Sequence, residues 1–201
     1  TNSENKDDTN TGETAKENTN TASAEETTDD AISTNNNSFV ENTNSNVTSN
    51  KSELSSTINT VNRNCRVFYF NKVDLKTYCV DTNVKVTDNA LVTALTEKLY
   101  SAPNNNNNFV VLSKDYGVRS ATLNYDTNVL TVVFNENFIK DMELSAEVAN
   151  GVIGAVVNTY GYNYGVDKVA IYFGDELYTS TAGTSSDEYS TVNYSDVLKL
   201  E

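Results

Sequence analysis

The sequence predicts an α+β domain: a mixed, mostly antiparallel sheet with two amphipathic helices on one face, preceded by a long disordered tail. Three observations carry this. Composition changes abruptly near residue 63, an apolar alternation of period two marks a hairpin over 118–135, and two segments carry apolar residues at helical spacing.

Residues 1–62 are dominated by Thr, Asn, Ser, Asp and Glu, and Phe39 is their only aromatic. Ile32, Val40, Val47, Leu54, Ile58 and Val61 are scattered there without period. Such a stretch buries too little apolar surface to offset roughly 1–2 kcal/mol per residue of backbone entropy, so it reads as a disordered acidic tether. Random-coil scaling gives it a reach of about 45 Å. Residues 63–181 read as the folded domain and 182–201 as an irregular tail.

The formal charge of −14 is shared almost evenly, with eleven acids to four bases in residues 1–64 and seventeen to ten beyond. An acidic surface repels phosphate backbones and anionic headgroups, which argues against nucleic acid as a partner. The chain opens at Thr1 and shows no membrane-length apolar run. The expectation is a processed form in which the tether spaces the domain from an upstream anchor.

The first two strands contain the only cysteines, Cys65 and Cys79. A hairpin turn centred on Lys72 sets Cys65 opposite Cys79, Val67 opposite Thr77 and Tyr69 opposite Leu75, a register that permits a cross-strand disulfide. Closing a loop of about 15 residues stabilises by roughly 3 kcal/mol and implies an oxidising compartment. Two buried thiols are the other reading. With no His in the chain, two thiols do not complete a zinc site.

Asp88 stands as N-cap before a helix over 90–100, where Leu91, Val92, Ala94, Leu95 and Leu99 share a face and Thr93, Thr96, Glu97 and Lys98 lie outward. Pro103 follows as a stop. After the polar loop 104–108, residues 109–112 return apolar chain to the core. In the hairpin, Arg119, Ala121 and Leu123 oppose Val118, Ser120 and Thr122; in its second arm Leu130, Val132 and Phe134 oppose Val129, Thr131 and Val133. Ser145 and Glu147 open the second helix, whose stripe is Val148, Val152, Ile153, Val156, Val157 and Tyr160, and Gly161 is placed to end it. A last strand over 166–173 follows. A strand, helix, strand passage requires a parallel pair, hence a mixed sheet with one face left wet or covered by a partner.

Catalytic signals are weak. No His is available as a general base, and no nucleophile elbow, P-loop or dinucleotide fingerprint occurs. The pairs Asp141 with Glu143 and Asp175 with Glu176 read as solvated loop acids. The stretch from Asp81 begins like a calcium loop, but the glycine and the final acid are replaced by Val86 and Val92. No enzyme activity, metal or cofactor is expected. Tyr162 and Tyr164, in a tyrosine-dense turn after the second helix, read either as cover for the helix end or as an aromatic contact surface for glycans or proteins. Together with Glu97 and Lys98 they form the candidate interaction surface.

The layout resembles the GerMN domain, named after a sporulation and spore-germination lipoprotein of Gram-positive bacteria. The resemblance rests on VFYF at 67–70, the helix ending in SAP at 101–103, VLTVVFN at 129–135, Glu147 opening a helix through AVVNT at 155–159, and GVDKV at 165–169 leading to IYFG at 171–174. Where the family commonly has a Pro-Gly-Thr turn, YGV at 116–118 keeps only the glycine. The resemblance implies a ring-building-motif-like core in a non-enzymatic, extracytoplasmic domain anchored by lipid or by an upstream segment. Its implied partners are proteins of the cell envelope or forespore membrane, with peptidoglycan as the alternative ligand.

Overall fold

A computed structural model describes residues 38–42, 58–179 and 188–201. The chain divides into two units, Thr1–Asn35 and Asn36–Glu201, and the described residues belong to the second. Most of the expected tether lies outside the described residues. Within it, however, Ser38–Asn42 forms strand β1, paired antiparallel to Ser120–Asn124 with Phe39 opposite Leu123, and the next strand begins at Thr60.

The fold is α+β, with a mixed sheet as expected and a second, smaller sheet that the sequence did not announce. Strands β2 (Thr60–Asn71) and β3 (Lys76–Thr87) make a long antiparallel hairpin, which joins β9 (Leu198–Lys199) in a three-stranded sheet of its own. The main sheet runs β1, β4 (Val118–Asn124), β5 (Val129–Phe134), β6 (Lys168–Phe173), β7 (Glu176–Leu177), with β8 (Ser190–Thr191) also on β6. Only β5 and β6 are parallel in it, and the crossover between them is helix α3 (Ala146–Tyr164). Helix α1 is Leu91–Lys98, and α2 is the single turn Phe138–Asp141, whose Asn137 cap accepts from the Lys140 N–H.

The first hairpin corrects the cysteine reading. Its ladder closes at Asn71 opposite Lys76, because the Asn71 Oδ1 accepts from the Val73 N–H at 2.9 Å and Leu75 takes a left-handed φ of 58°, which makes a four-residue turn. Relative to a turn centred on Lys72, the register moves by an odd number of residues and every side chain changes face. Cys65 now lies opposite Thr82 and Cys79 opposite Phe68. The cysteines are three pairs apart, about 10 Å along the strands at ~3.3 Å per residue and past the ~7 Å Cα limit for a bridge. Both are buried free thiols: Cys65 has Arg63 and Lys98 for charged neighbours, Cys79 has Arg66, Asp81 and Lys199, and burial raises the pKa of each.

Other local expectations are revised by particular contacts. Asp88 caps no helix: its φ is 50°, its Oδ1 accepts from the Asn59 N–H at 3.2 Å, and Ala90 is the N-cap of α1. In β4 a bulge between Val118 and Ser120 turns Val118 to the buried side beside Ala121 and Leu123 and leaves Arg119 outside, where it reaches the Gly174 carbonyl at 3.2 Å. Helix α3 continues through Gly161 and is ended by Gly165 at φ 66°. Gly161 is needed for space, since a Cβ there would meet Val192 Cγ1 and lie 2.8 Å from the Val166 carbonyl oxygen. Within the tail expected over 182–201, Ser190–Thr191 and Leu198–Lys199 form the two-residue strands β8 and β9, and the other residues of 188–201 are without regular structure.

The core is one cluster shared by both sheets. Phe134, Phe138 and Phe173 pack edge-on or tilted at 4.9–6.0 Å beneath the main sheet. Thr96 Oγ1 donates to the Val92 carbonyl at 2.7 Å and lies 2.7 Å from the buried Tyr160 hydroxyl, which ties α1 to α3. Among the described residues no strand lies along the outer edge of β2, and α3 side chains and the chain at 110 meet four of its backbone groups instead. Thr159 Oγ1 accepts from the Phe68 N–H at 2.9 Å, Asn163 both accepts from the Arg66 N–H at 3.1 Å and donates to the Arg66 carbonyl at 2.7 Å, and Val110 N–H donates to the Phe70 carbonyl at 2.9 Å.

Candidate interaction surface

Tyr162 and Tyr164 belong to the last turn of α3 rather than to a free turn, and two helical positions set them about 200° apart around the axis. Tyr162 faces β2 and the C-terminal segment. Its ring meets Phe68 at 5.9 Å and Tyr194 at 5.9 Å, both edge-on, and the Arg66 guanidinium lies 4.8 Å from its centroid. Arg66 is itself bound in two places to Asp81, Nε to Oδ1 at 2.6 Å and Nη2 to Oδ2 at 3.0 Å, and Lys199 Nζ reaches Asp81 Oδ2 at 2.9 Å. The hydrogen bond from Arg66, and secondly that from Lys199, hold the Asp81 carboxyl well below the usual carboxylate range. Burial, with Asp167 and Tyr162 adding to it, pushes the Tyr194 hydroxyl up to about 12. Tyr162 nonetheless keeps 43% of its surface exposed.

Tyr164 lines a different place, a groove of about 590 Å³. Its apolar lining is Val61, Val86, Leu91 and Leu123; Tyr125 and Tyr164 supply rings, Arg63 the cation, and Asn59, Asn89 and Asn163 the amides. Five stretches of chain meet there: the start of β2, the end of β3, the entry to α1, the tip of the β4–β5 hairpin and the end of α3. Val61 is 50% exposed and Tyr125 53%, large apolar surface to leave in water side by side. Sequence reading found only Tyr164 of this set, because the others become neighbours through tertiary packing alone.

Glu97 and Lys98 end α1 and line another depression, of about 510 Å³, with Tyr69, Val84 and Pro103. Glu97 is exposed, Lys98 is half-buried, and the Lys98 carbonyl accepts from the Tyr69 hydroxyl at 3.0 Å. Burial pushes that hydroxyl up to about 12. The four residues expected to share one surface are thus divided among three. Asp175 is paired to Arg119 at 3.3 Å on the outside of the sheet. Among the described residues no three His, Cys, Asp or Glu side chains gather, and no helix is long and apolar enough to cross a membrane.

The described residues thus form an α+β domain in which helices brace a pair of sheets beside an open groove rimmed by tyrosines. Residues 66–179 match the family model Germane, described as sporulation and spore germination, and the chain belongs to that family. Membership gives it a role related to sporulation or germination, in a family not known as enzymatic. No curated protein and no solved structure matches the chain.

Proposed function

We propose that this domain is a non-enzymatic docking module: a tethered, extracytoplasmic lipoprotein of a Gram-positive envelope that binds a protein of a sporulation or germination complex. The observation that carries the reading is the groove rimmed by Tyr125 and Tyr164. Tyr and Arg over an aliphatic floor is the composition in which binding energy concentrates at protein interfaces, because rigid rings bury area at small entropic cost. Asn59 and Val61 line it at the start of β2, beside the rings.

The tyrosines and amides of the same groove also suit a glycan, which keeps peptidoglycan as the second reading. One experiment separates them. A photo-crosslinking residue at Tyr125 in sporulating cells is expected to capture a membrane-complex protein, with Tyr164→Ala reducing capture at least tenfold. Sedimentation of the purified chain with cell wall, lost in Tyr125→Ala and Tyr164→Ala, moves the assignment to peptidoglycan. Normal sporulation and germination in both variants, with protein levels unchanged, defeats the docking role itself.

A further inference from the structure

Residues 188–201 lie past the stretch matched by the family model, and they cross the domain as a strap. The strap starts on the edge of β6, where Ser190 pairs with Val169 and Thr191 with Lys168, and Val192 N–H donates to the Asp167 carbonyl at 2.9 Å. It passes over α3 and ends parallel to β3, with Leu198 opposite Tyr78, Lys199 opposite Cys79, and Leu200 N–H on the Cys79 carbonyl at 2.9 Å.

What it lies on is more elaborate than a passive surface. Asn158, in the middle of α3 and only 4% exposed, holds both backbone groups of one strap residue with the two ends of its amide: Nδ2 donates to the Asn193 carbonyl at 2.6 Å and Oδ1 accepts from the Asn193 N–H at 2.9 Å. This is sequence-independent recognition of an extended backbone, of the kind a sheet edge gives a bound peptide. Flanking it are side-chain seats. Gly161 leaves room for Val192, Phe68 stacks on the Tyr194 ring at 5.6 Å, and Asp81 receives Lys199. Beside Asn158 a groove of about 310 Å³ runs past Gly154, whose Cβ position is open. No strap residue is itself buried, whereas Phe68, Asn158, Cys79 and Val169 beneath it are. Val192, Val197 and Leu200 pack against the core but stay only partly buried, and a segment seated this shallowly belongs to the low end of local stability.

We propose that the strap is a displaceable internal ligand: it occupies a peptide-docking track running from the β6 edge over Asn158 to the β3 edge, and shields that track from an extended partner segment of matching chemistry. The matching segment carries a β-branched residue in the Val192 seat, an aromatic two residues on, and a cation near the end to meet Asp81. This rests on the docking reading of the domain but not on the tyrosine-rimmed groove, so each can fail alone.

The test uses the full chain. Amide exchange should show Val192, Asn193 and Leu200 at least 100-fold less protected than the β5 and β6 amides, through opening of the strap alone. A fluorescent synthetic peptide of residues 188–201 should bind Tyr194→Ala, which loosens the resident strap, at least tenfold more tightly than wild type, and adding Asn158→Ala should abolish that binding. Strap amides as protected as those of the sheet overturn the proposal whether or not the variants fold. So does a peptide that binds wild type and Tyr194→Ala alike, or binds neither.

Discussion

Replacing Thr159 with Val tests the claim that α3 takes the place of a neighbouring strand for β2. The side chain is fully buried, and its Oγ1 accepts from the Phe68 N–H at 2.9 Å while donating to the Ala155 carbonyl at 2.8 Å. Val has nearly the same shape and branching, so the substitution opens no cavity and leaves helix packing intact. What it removes is the acceptor of the Phe68 N–H, in a residue itself 2% exposed. An orphaned buried N–H costs about 1–3 kcal/mol, far more than the modest net worth of a solvated hydrogen bond. With a urea slope of roughly 2 kcal/mol per molar for a domain of this size, the midpoint should fall by about 0.5–1.5 M at unchanged slope. Asn163→Ala, at a more accessible position on the same edge, should cost about 1 kcal/mol, and the double variant should depart from additivity because both sites serve one strand. A loss under about 0.5 kcal/mol for Thr159→Val would mean that the β2 edge is satisfied some other way and that the helix-for-strand account is mistaken.

Two glycines of α3 should respond in opposite directions to alanine. At Gly151 a Cβ runs into the Phe70 ring, so Gly151→Ala should destabilise by about 1–3 kcal/mol, while at Gly154 nothing lies within 4 Å and Gly154→Ala should stabilise by up to about 1 kcal/mol, both read by thermal unfolding. Equal effects at the two positions would contradict the packing of α3 on β2. Asp81 is held ionised in the folded chain, so its contribution is complete above the ordinary carboxyl value near 3.8 and is lost as pH falls below it. The stability gap between wild type and Asp81→Asn should therefore be flat above about pH 5, narrow below pH 4, and stay small throughout, because both partners are partly in water. A gap that widens on acidification reverses the sign and removes Asp81 from the Arg66 and Lys199 cluster.

The parts of the fold legible in the sequence are those where local chemistry and tertiary packing agree. The β4–β5 hairpin alternates Leu130, Val132 and Phe134 inward against Val129, Thr131 and Val133, and the structure keeps that split. Ser145 caps α3 through its Oγ on the Val148 N–H, as its position before Glu147 indicates. The first hairpin was lost on a single turn. A leucine at φ 58° is a conformation no propensity favours, and it is sustained here because Asn71, through its side chain, Asp74 and the bridge to Phe109 fix the loop from three directions. One misplaced turn moved both cysteines to different faces and removed the disulfide with its implication of an oxidising compartment.

The site was less legible than the fold for a reason that lies in α3 itself. Read as an amphipathic helix, it needs one apolar stripe, and Val152, Ile153, Val156, Val157 and Tyr160 supply it. Yet Asn158 and Thr159 are buried as deeply as that stripe, and each is spent on the backbone of a different element, Thr159 on β2 and Asn158 on the strap, with Asn163 extending the β2 contact. A helix flanked on several sides must bury its polar positions too, and a buried amide is tolerated where the peptide groups of another segment complete it. Mid-helix Asn and Thr in an otherwise aliphatic run therefore mark where the helix does the work of a sheet edge. In this chain they mark the two places where extended backbone docks, one permanent at β2 and one, by the strap's exposure, open to exchange.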